Sequence, residues 1–302
     1  MIPIQNVSAL LAAVRDPSGS EPQPIYSDSV TTRLRPAWQP TPTVFDFPMD
    51  VPGMWHGQCG QDALVSALLS GRRDGYFVDL AAHHPVFISN TRALERDYDW
   101  RGLCIEANPR YSMLLLASRR KCHVVPVAVA ERLQRAATFI DPMRGGFGAL
   151  ERTMEAAARR QGGRVQNRLH VPTLPFGMLL DEVEAPKHLD YLSLDVERAE
   201  TLVMASFPFS RYTISILTIE SPEATLRHRL KAHGYLRICR LGYDEVWAHK
   251  RTVLNATVAS RVVRCAGVPR CEPMIHRGAA PWRCEDCKHK CGDVAPWRRR
   301  RV

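Results

Sequence analysis

Five short apolar runs lie between residues 76 and 220, and four of them finish on or beside an acidic residue. They are Tyr76-Phe77-Val78-Asp79-Leu80, Gly102-Leu103-Cys104-Ile105-Glu106, His123-Val124-Val125-Pro126-Val127, Leu189-Asp190-Tyr191-Leu192-Ser193-Leu194-Asp195, and Tyr212 to Ile219 leading into Glu220. A strand with one wet face alternates polar and apolar residues. Runs this apolar read as strands covered on both faces, the state of parallel strands flanked by helices. Helical patterns separate them: Asp62 to Leu69, a face of Phe87, Thr91, Leu94 and Tyr98, Tyr111 to Ser118, Leu174 to Val183, and Leu226 to His233. A hairpin over Gly234 to Ala248, turning at Leu241-Gly242, closes the series. The expected fold is therefore a doubly wound α/β domain with a mainly parallel sheet over residues 58–250.

Residues 1–57 and 251–302 fall outside that pattern. Pro22, Pro24, Pro36, Pro40 and Pro42 crowd the first segment, which reads as an arm or linker because proline removes amide donors and disfavours helix. The last segment holds twelve Lys/Arg against four acids, so it carries most of the formal net charge of +10. The body is close to neutral. A nucleic-acid partner is not expected, since such proteins spread basic residues over a folded face; a binder working through the Arg298 to Arg301 run is the rival reading. The tail also carries Cys265, Cys271, Cys284, Cys287 and Cys291. Cys284, Cys287 and Cys291 are spaced to offer thiolates to zinc, but no second C-x-x-C pair completes a finger. Zinc, disulfides or neither all remain open for these five. No run of about 20 apolar residues exists, so no membrane span is expected. Val7 to Val14 lacks a preceding basic residue and reads as helix rather than a leader, which makes the cytoplasm the expected compartment.

In doubly wound sheets the ligand binds beyond the carboxyl ends of the strands. Asp79, Glu106, Asp195 and Glu220 all fall there. An acid ending the second strand is placed to accept hydrogen bonds from ribose hydroxyls. The first turn, Asp79-Leu80-Ala81-Ala82-His83-His84-Pro85, has no glycine, whereas a pyrophosphate wants G-x-G-x-x-G. That argues against NAD or FAD and leaves a nucleoside without phosphates, the description of S-adenosylmethionine. Alternatively, the acids merely stabilise helix starts, at about 0.3–1 kcal/mol each.

These segments, with Gly60-Gln61-Asp62, Trp100 to Pro109, Leu189 to Glu197, Thr218-Ile219-Glu220 and Gly234-Tyr235, resemble the FkbM-type S-adenosylmethionine-dependent methyltransferases. The resemblance spans about residues 58–250. It implies a seven-stranded class I methyltransferase fold in which Asp79, Ala81, Ala82 and His83 border the methionine moiety. Glu106 would hold the ribose, Asn108 would lie beside the adenosine, Val127 and Ala128 would flank the adenine, and Asp195 would sit near the transferred methyl. Two family motifs are altered: D-x-G-A-N-x-G has Ala81, His83 and Pro85 at its first glycine, its asparagine and its last glycine, with Asp79 and Ala82 matched, and D-x-E-G-x-E has Arg198 at its glycine.

The implied activity is O-methylation of a small-molecule or glycan hydroxyl. A catalytically silent methyltransferase-like domain, used for binding or trafficking, is the alternative. Transfer to a hydroxyl profits from a base, for which Asp195, Glu197 and His83 are the candidates and Glu200 and Glu220 supporting acids. Glu197 and Glu200, three apart on an expected helix, would share one face and could hold a divalent cation; stabilising the helix start is their other reading.

Overall fold

The computed structural model describes residue 50 and residues 52–141, 148–151 and 167–259. Most of the proline-rich arm, the glycines at 145 and 146, and the tail cysteines and arginines lie outside the described residues.

Seven strands form one sheet: β1 (Tyr76–Leu80), β2 (Arg101–Ile105), β3 (Cys122–Val125), β8 (His188–Leu194), β9 (Thr213–Glu220), β10 (Tyr235–Leu241) and β11 (Asp244–His249). Their order is β10-β11-β9-β8-β1-β2-β3. The pairs from β9 to β3 are parallel, whereas β11 is antiparallel to both β9 and β10. The sheet is thus mixed rather than uniformly parallel. The expected hairpin accounts for the difference: Gly242, at a φ of 57°, reverses the chain so that β11 inserts between β9 and β10.

The same apolar runs that predict strands also explain why both faces are dry. On β1, Phe77 packs into one cluster with Leu64, Leu68, Leu94 and Leu115. Its neighbours Val78 and Leu80 join the opposite cluster with Leu179, Val203, Met204, Leu226 and Leu230. Side chains alternate across a strand, so α1 (Gln61–Leu68), α2 (Arg92–Asp97) and α3 (Pro109–Ser118) cover one face. Helices α4 (Phe176–Glu182), α5 (Glu200–Ala205) and α6 (Ala224–Ala232) cover the other. Fully burying one such side chain contributes about 1.5–3 kcal/mol. Gly102 permits the close β1–β2 approach, because a Cβ there would overlap the carbonyl oxygen of Phe77.

Two local expectations need correction. The helix through Phe87 starts later, at Arg92: Phe87 is 59% exposed, and the Ser89 hydroxyl accepts from the amides of Thr91 and Arg92, which turns the chain before the helix can begin. A second, four-stranded sheet, unanticipated from the sequence, fills much of the stretch after β3. It comprises β4 (Ala128–Val129), β5 (Gln134–Asp141), β6 (Ala149–Leu150) and β7 (Asn167–Leu174), in the order β4-β7-β5-β6. Two of these strands have two residues each and β7 contains Pro172, so none gives a strong apolar run. Val171, Phe139, Leu150 and Ala130 make its small core.

Candidate active site

Strand register brings the acids together. Leu80 stands opposite Ile105 on one side and Leu194 on the other, and Leu194 stands opposite Ile219. The next residue on each strand is Ala81, Glu106, Asp195 and Glu220, so all four emerge at one edge. Here a cavity of about 300 Å³ opens, lined by Ala81, His83, Glu106, Asn108, Val127, Ala128, Asp195 and Glu197. Asp79 and Ala82 do not line it. Asp79 is 3% exposed and accepts the Thr91 hydroxyl at 2.6 Å, and Ala82 packs into the core.

Glu106 is the most fixed polar group of the cavity. Its Oε2 accepts the His83 amide at 2.8 Å and its Oε1 accepts the Asn108 amide at 2.7 Å. Burial pushes its carboxyl up to about 7 against the pull of those two amides. The Asn108 side chain is committed to α3, where its Oδ1 accepts the Arg110 amide ahead of a proline-initiated first turn. Tyr111, one turn into α3, lies 3.9 Å from the His83 ring at 43° and also lines the cavity.

Among the described residues, neither ring nitrogen of His83 has a partner, although both are buried. Burial, then His84 and Arg110, holds its imidazole down to about 4. A ring that is neutral near pH 7 with so low a pKa is a poor general base, but it can stack and can exchange hydrogen bonds with a ligand.

At the other end, carboxylate oxygens of Asp195, Glu197 and Glu220 lie within 4.8 Å of one another. Burial first and then Glu220, Asp244 and Glu197 push Asp195 well above the usual carboxylate range. Glu197 is raised to about 7 by burial, then by Glu220 and Glu200. Glu197 and Glu200 do not share a helix face. Residues 197 and 198 have φ of 54° and 74°, and α5 begins at Glu200. The Glu200 carboxylate instead accepts the amides of Val196 and Arg198, which fixes the loop. The donor set that could hold a divalent cation is therefore Asp195, Glu197 and Glu220, with Glu200 in the supporting loop.

Three of the four altered motif positions hold the left-handed backbone that glycine favours; Pro85 does not. Ala81 has a φ of 59°, His83 of 51° and Arg198 of 74°. Each non-glycine residue in this region costs about 1–2 kcal/mol. Tyr111, Phe139, Leu150 and Tyr243 also line the cavity. Sequence reasoning did not single them out; the one available signal was the position of Tyr111 in the first turn of the helix after an acid-ended strand.

A mixed α/β sheet with a nucleoside-sized cavity at its carboxyl edge is the setting in which the comparisons with known proteins fall. Residues 79–243 match the family described as Methyltransferase FkbM domain, and the chain belongs to that family. It is thereby a methyltransferase, and the family implies a cofactor of the S-adenosylmethionine type. Among solved structures, Precorrin-6y C5,15-methyltransferase from Geobacter metallireducens GS-15 is similar at 13% identity, over 63% of this chain and 87% of that one, with a TM-score of 0.33. That likeness is too distant to transfer fold or function. No curated protein matches. Among the described residues no helix is long and apolar enough to cross a membrane.

Proposed function

We propose that the chain methylates a hydroxyl oxygen of a small molecule or glycan, using S-adenosylmethionine. The observation that carries this reading is the presence, in one cavity of about 300 Å³, of the amide-anchored Glu106 at one end and the acid cluster of Asp195 and Glu197 at the other. The residues fit a nucleoside. Each Glu106 oxygen keeps a lone pair for a ribose hydroxyl after accepting its amide. The orphaned nitrogens of His83 beside Tyr111 would gain partners from a ligand, and Val127 and Ala128 offer an apolar wall to the adenine.

S-adenosylmethionine, when bound, supplies a methyl group on a sulfonium carbon. The chain's own residues bind, align and deprotonate. Holding acceptor and methyl in line can contribute about 7–11 kcal/mol without covalent chemistry. Glu197, with a carboxyl near 7, is matched to accept the hydroxyl proton at neutral pH, and burial with the neighbouring Glu220 and Glu200 keeps it raised. Ala81 belongs to the methionine end of the cavity, with Asp79 and Ala82 supporting its turn from behind. The left-handed backbone at 81 and 198, the positions where the family motifs carry glycine, supports an active enzyme over a silent scaffold.

The test is calorimetric titration of the full chain with S-adenosylmethionine and its demethylated product, repeated with Glu106→Ala. Binding that is lost in the variant is expected. Absence of binding by folded wild-type protein would overturn the reading.

A further inference from the structure

A second concavity, of about 680 Å³, lies along the edge strand β10, between it and α6. Four cationic side chains line it: Arg227 and Lys231 from α6, Arg237 and Arg240 from β10. The one acid is Glu245, and it is already committed. Its carboxylate, 5% exposed, accepts Arg227 Nε at 3.1 Å and an Arg237 terminal nitrogen at 2.9 Å. Arg240 Nε donates to the Gly242 carbonyl, which leaves its two terminal nitrogens, and Lys231 makes no ion pair among the described residues. The groove therefore holds an excess of three positive charges. Trp247 lines it as well, fully buried, with an indole N–H that has no acceptor among the described residues. Donors outnumber acceptors throughout.

The groove adjoins the active-site cavity. Tyr243, 69% exposed, lines both, and its carbonyl accepts the amide of Ser221, the residue after Glu220. A molecule lying in the groove would thus point one end at the Asp195, Glu197 and Glu220 cluster.

We propose that this groove holds the anionic part of the methyl acceptor, a phosphate or sulfate ester carried on a small molecule or sugar whose hydroxyl reaches Glu197. The proposal rests on the methyltransferase reading and adds the acceptor's charge to it. Guanidinium groups with free paired donors suit tetrahedral oxyanions. The volume lies in the range of small-ligand sites, about 300–1,000 Å³. A nucleic-acid face would extend its cations along a track of phosphates, whereas these four converge on one concavity.

The experiment is calorimetric titration of the full chain, at low salt, with inorganic pyrophosphate and separately with sulfate. It is repeated on Lys231→Glu/Arg240→Glu and on Arg101→Glu/Arg120→Glu, a control pair of exposed arginines toward the opposite edge of the sheet. Pyrophosphate or sulfate should bind the wild type, lose about tenfold or more in affinity in the groove variant, and be unaffected in the control. The stronger of the two anions identifies the ester. Circular dichroism and thermal melting establish that each variant is folded. No binding to the wild type, or equal loss in the control, overturns the proposal. Tighter, groove-dependent binding of a single-stranded RNA oligonucleotide overturns it in favour of a nucleic-acid partner. The same samples are titrated with S-adenosylmethionine. Cofactor binding without anion binding sinks the groove assignment alone, and anion binding without cofactor binding sinks the methyltransferase reading and the acceptor role with it.

Discussion

The backbone amide of His83 donates to Glu106 Oε2 at 2.8 Å, so the turn after β1 is held by the residue that ends β2. One carboxylate thereby shapes the cavity and supplies its anionic contact. Glu106→Gln should separate these roles. Gln keeps one oxygen, but its NH₂ must face either the His83 or the Asn108 amide, an unsatisfied pairing that costs about 1–3 kcal/mol. Hydrogen bonds to a charged acceptor are worth about 1.5–3 kcal/mol, so affinity for S-adenosylmethionine should fall roughly tenfold to a hundredfold. Calorimetry checks this, and unchanged affinity would remove Glu106 from the cofactor site.

Transfer should depend on pH through Glu197. A base acts in its ionised form, and burial with Glu220 and Glu200 holds this carboxyl up to about 7. The rate should rise with pH up to about 7 and then level off. Glu197→Gln should abolish that limb and lower the maximal rate by about 10²–10⁴. The check is a pH–rate profile of wild type and variant with any acceptor found to turn over; a variant that keeps its acid limb excludes Glu197 as the base.

Stability should depend on pH with the opposite sense to that of ordinary paired carboxylates. Glu106 and Glu200 are raised to about 7, and Asp62 and Asp244 to about 6, all first by burial. Between the ordinary carboxylate range and these values the folded chain binds protons that the unfolded chain has released, so stability falls as pH rises through that window. Glu95 and Asp50, whose pKa values are lowered, act in the other direction below their ordinary values, and His56 and His83, held down to about 4 first by burial, do so between there and the ordinary imidazole range. Urea unfolding should give a higher midpoint at pH 5 than at pH 8. A higher midpoint at pH 8 would show that the raised acids do not outweigh the lowered histidines His56 and His83.

The loops also store strain that can be released. Ala81 and Arg198 sit at φ of 59° and 74°, where an L side chain costs about 1–2 kcal/mol. Glycine removes that cost and adds about 0.5–1 kcal/mol of unfolded-state entropy. Ala81→Gly and Arg198→Gly should each therefore stabilise by up to about 1 kcal/mol. Chemical denaturation reads the change, and a loss of stability in both would mean that the side chains make contacts worth more than the strain.

The parallel core of the sheet was legible because apolar runs such as Leu189 to Leu194 have no other soluble home, and register then placed Glu106, Asp195 and Glu220 at one edge without further information. The antiparallel insertion of β11 was not legible: a hairpin signal at Leu241-Gly242 does not say which neighbour its second strand will pair with. Neither was the second sheet, whose strands are short or polar at one end and which has four buried core residues among the described ones. Glu197 and Glu200 looked like helix neighbours because spacing carries no record of φ, and two left-handed residues in succession moved the helix start to Glu200. The groove along β10 was invisible for a related reason, since Arg227 and Arg237 meet only through Glu245 after folding.

The turn that frames the proposed cofactor cavity leans on a buried ion pair that no spacing announced. The Arg119 side chain is fully buried; it pairs with Glu95 and donates to Ser89 Oγ at 3.3 Å and Thr91 Oγ1 at 3.1 Å. Thr91 in turn donates to Asp79, so the chain of contacts runs from the start of β3 to the end of β1. Glu95 also accepts the amides of Arg120 and Lys121. Arg119→Met leaves the buried carboxylate with only the longer Arg92 pair, at 3.7 Å, and should destabilise by up to about 3–5 kcal/mol. Adding Glu95→Gln should recover part of that loss, because glutamine keeps an oxygen for the two amides and carries no charge. Urea unfolding of the single and double variants measures both terms. If the double variant is no more stable than Arg119→Met, the cost lies in the lost packing of the guanidinium against Phe77, 5.7 Å from that ring's centre, rather than in a stranded charge.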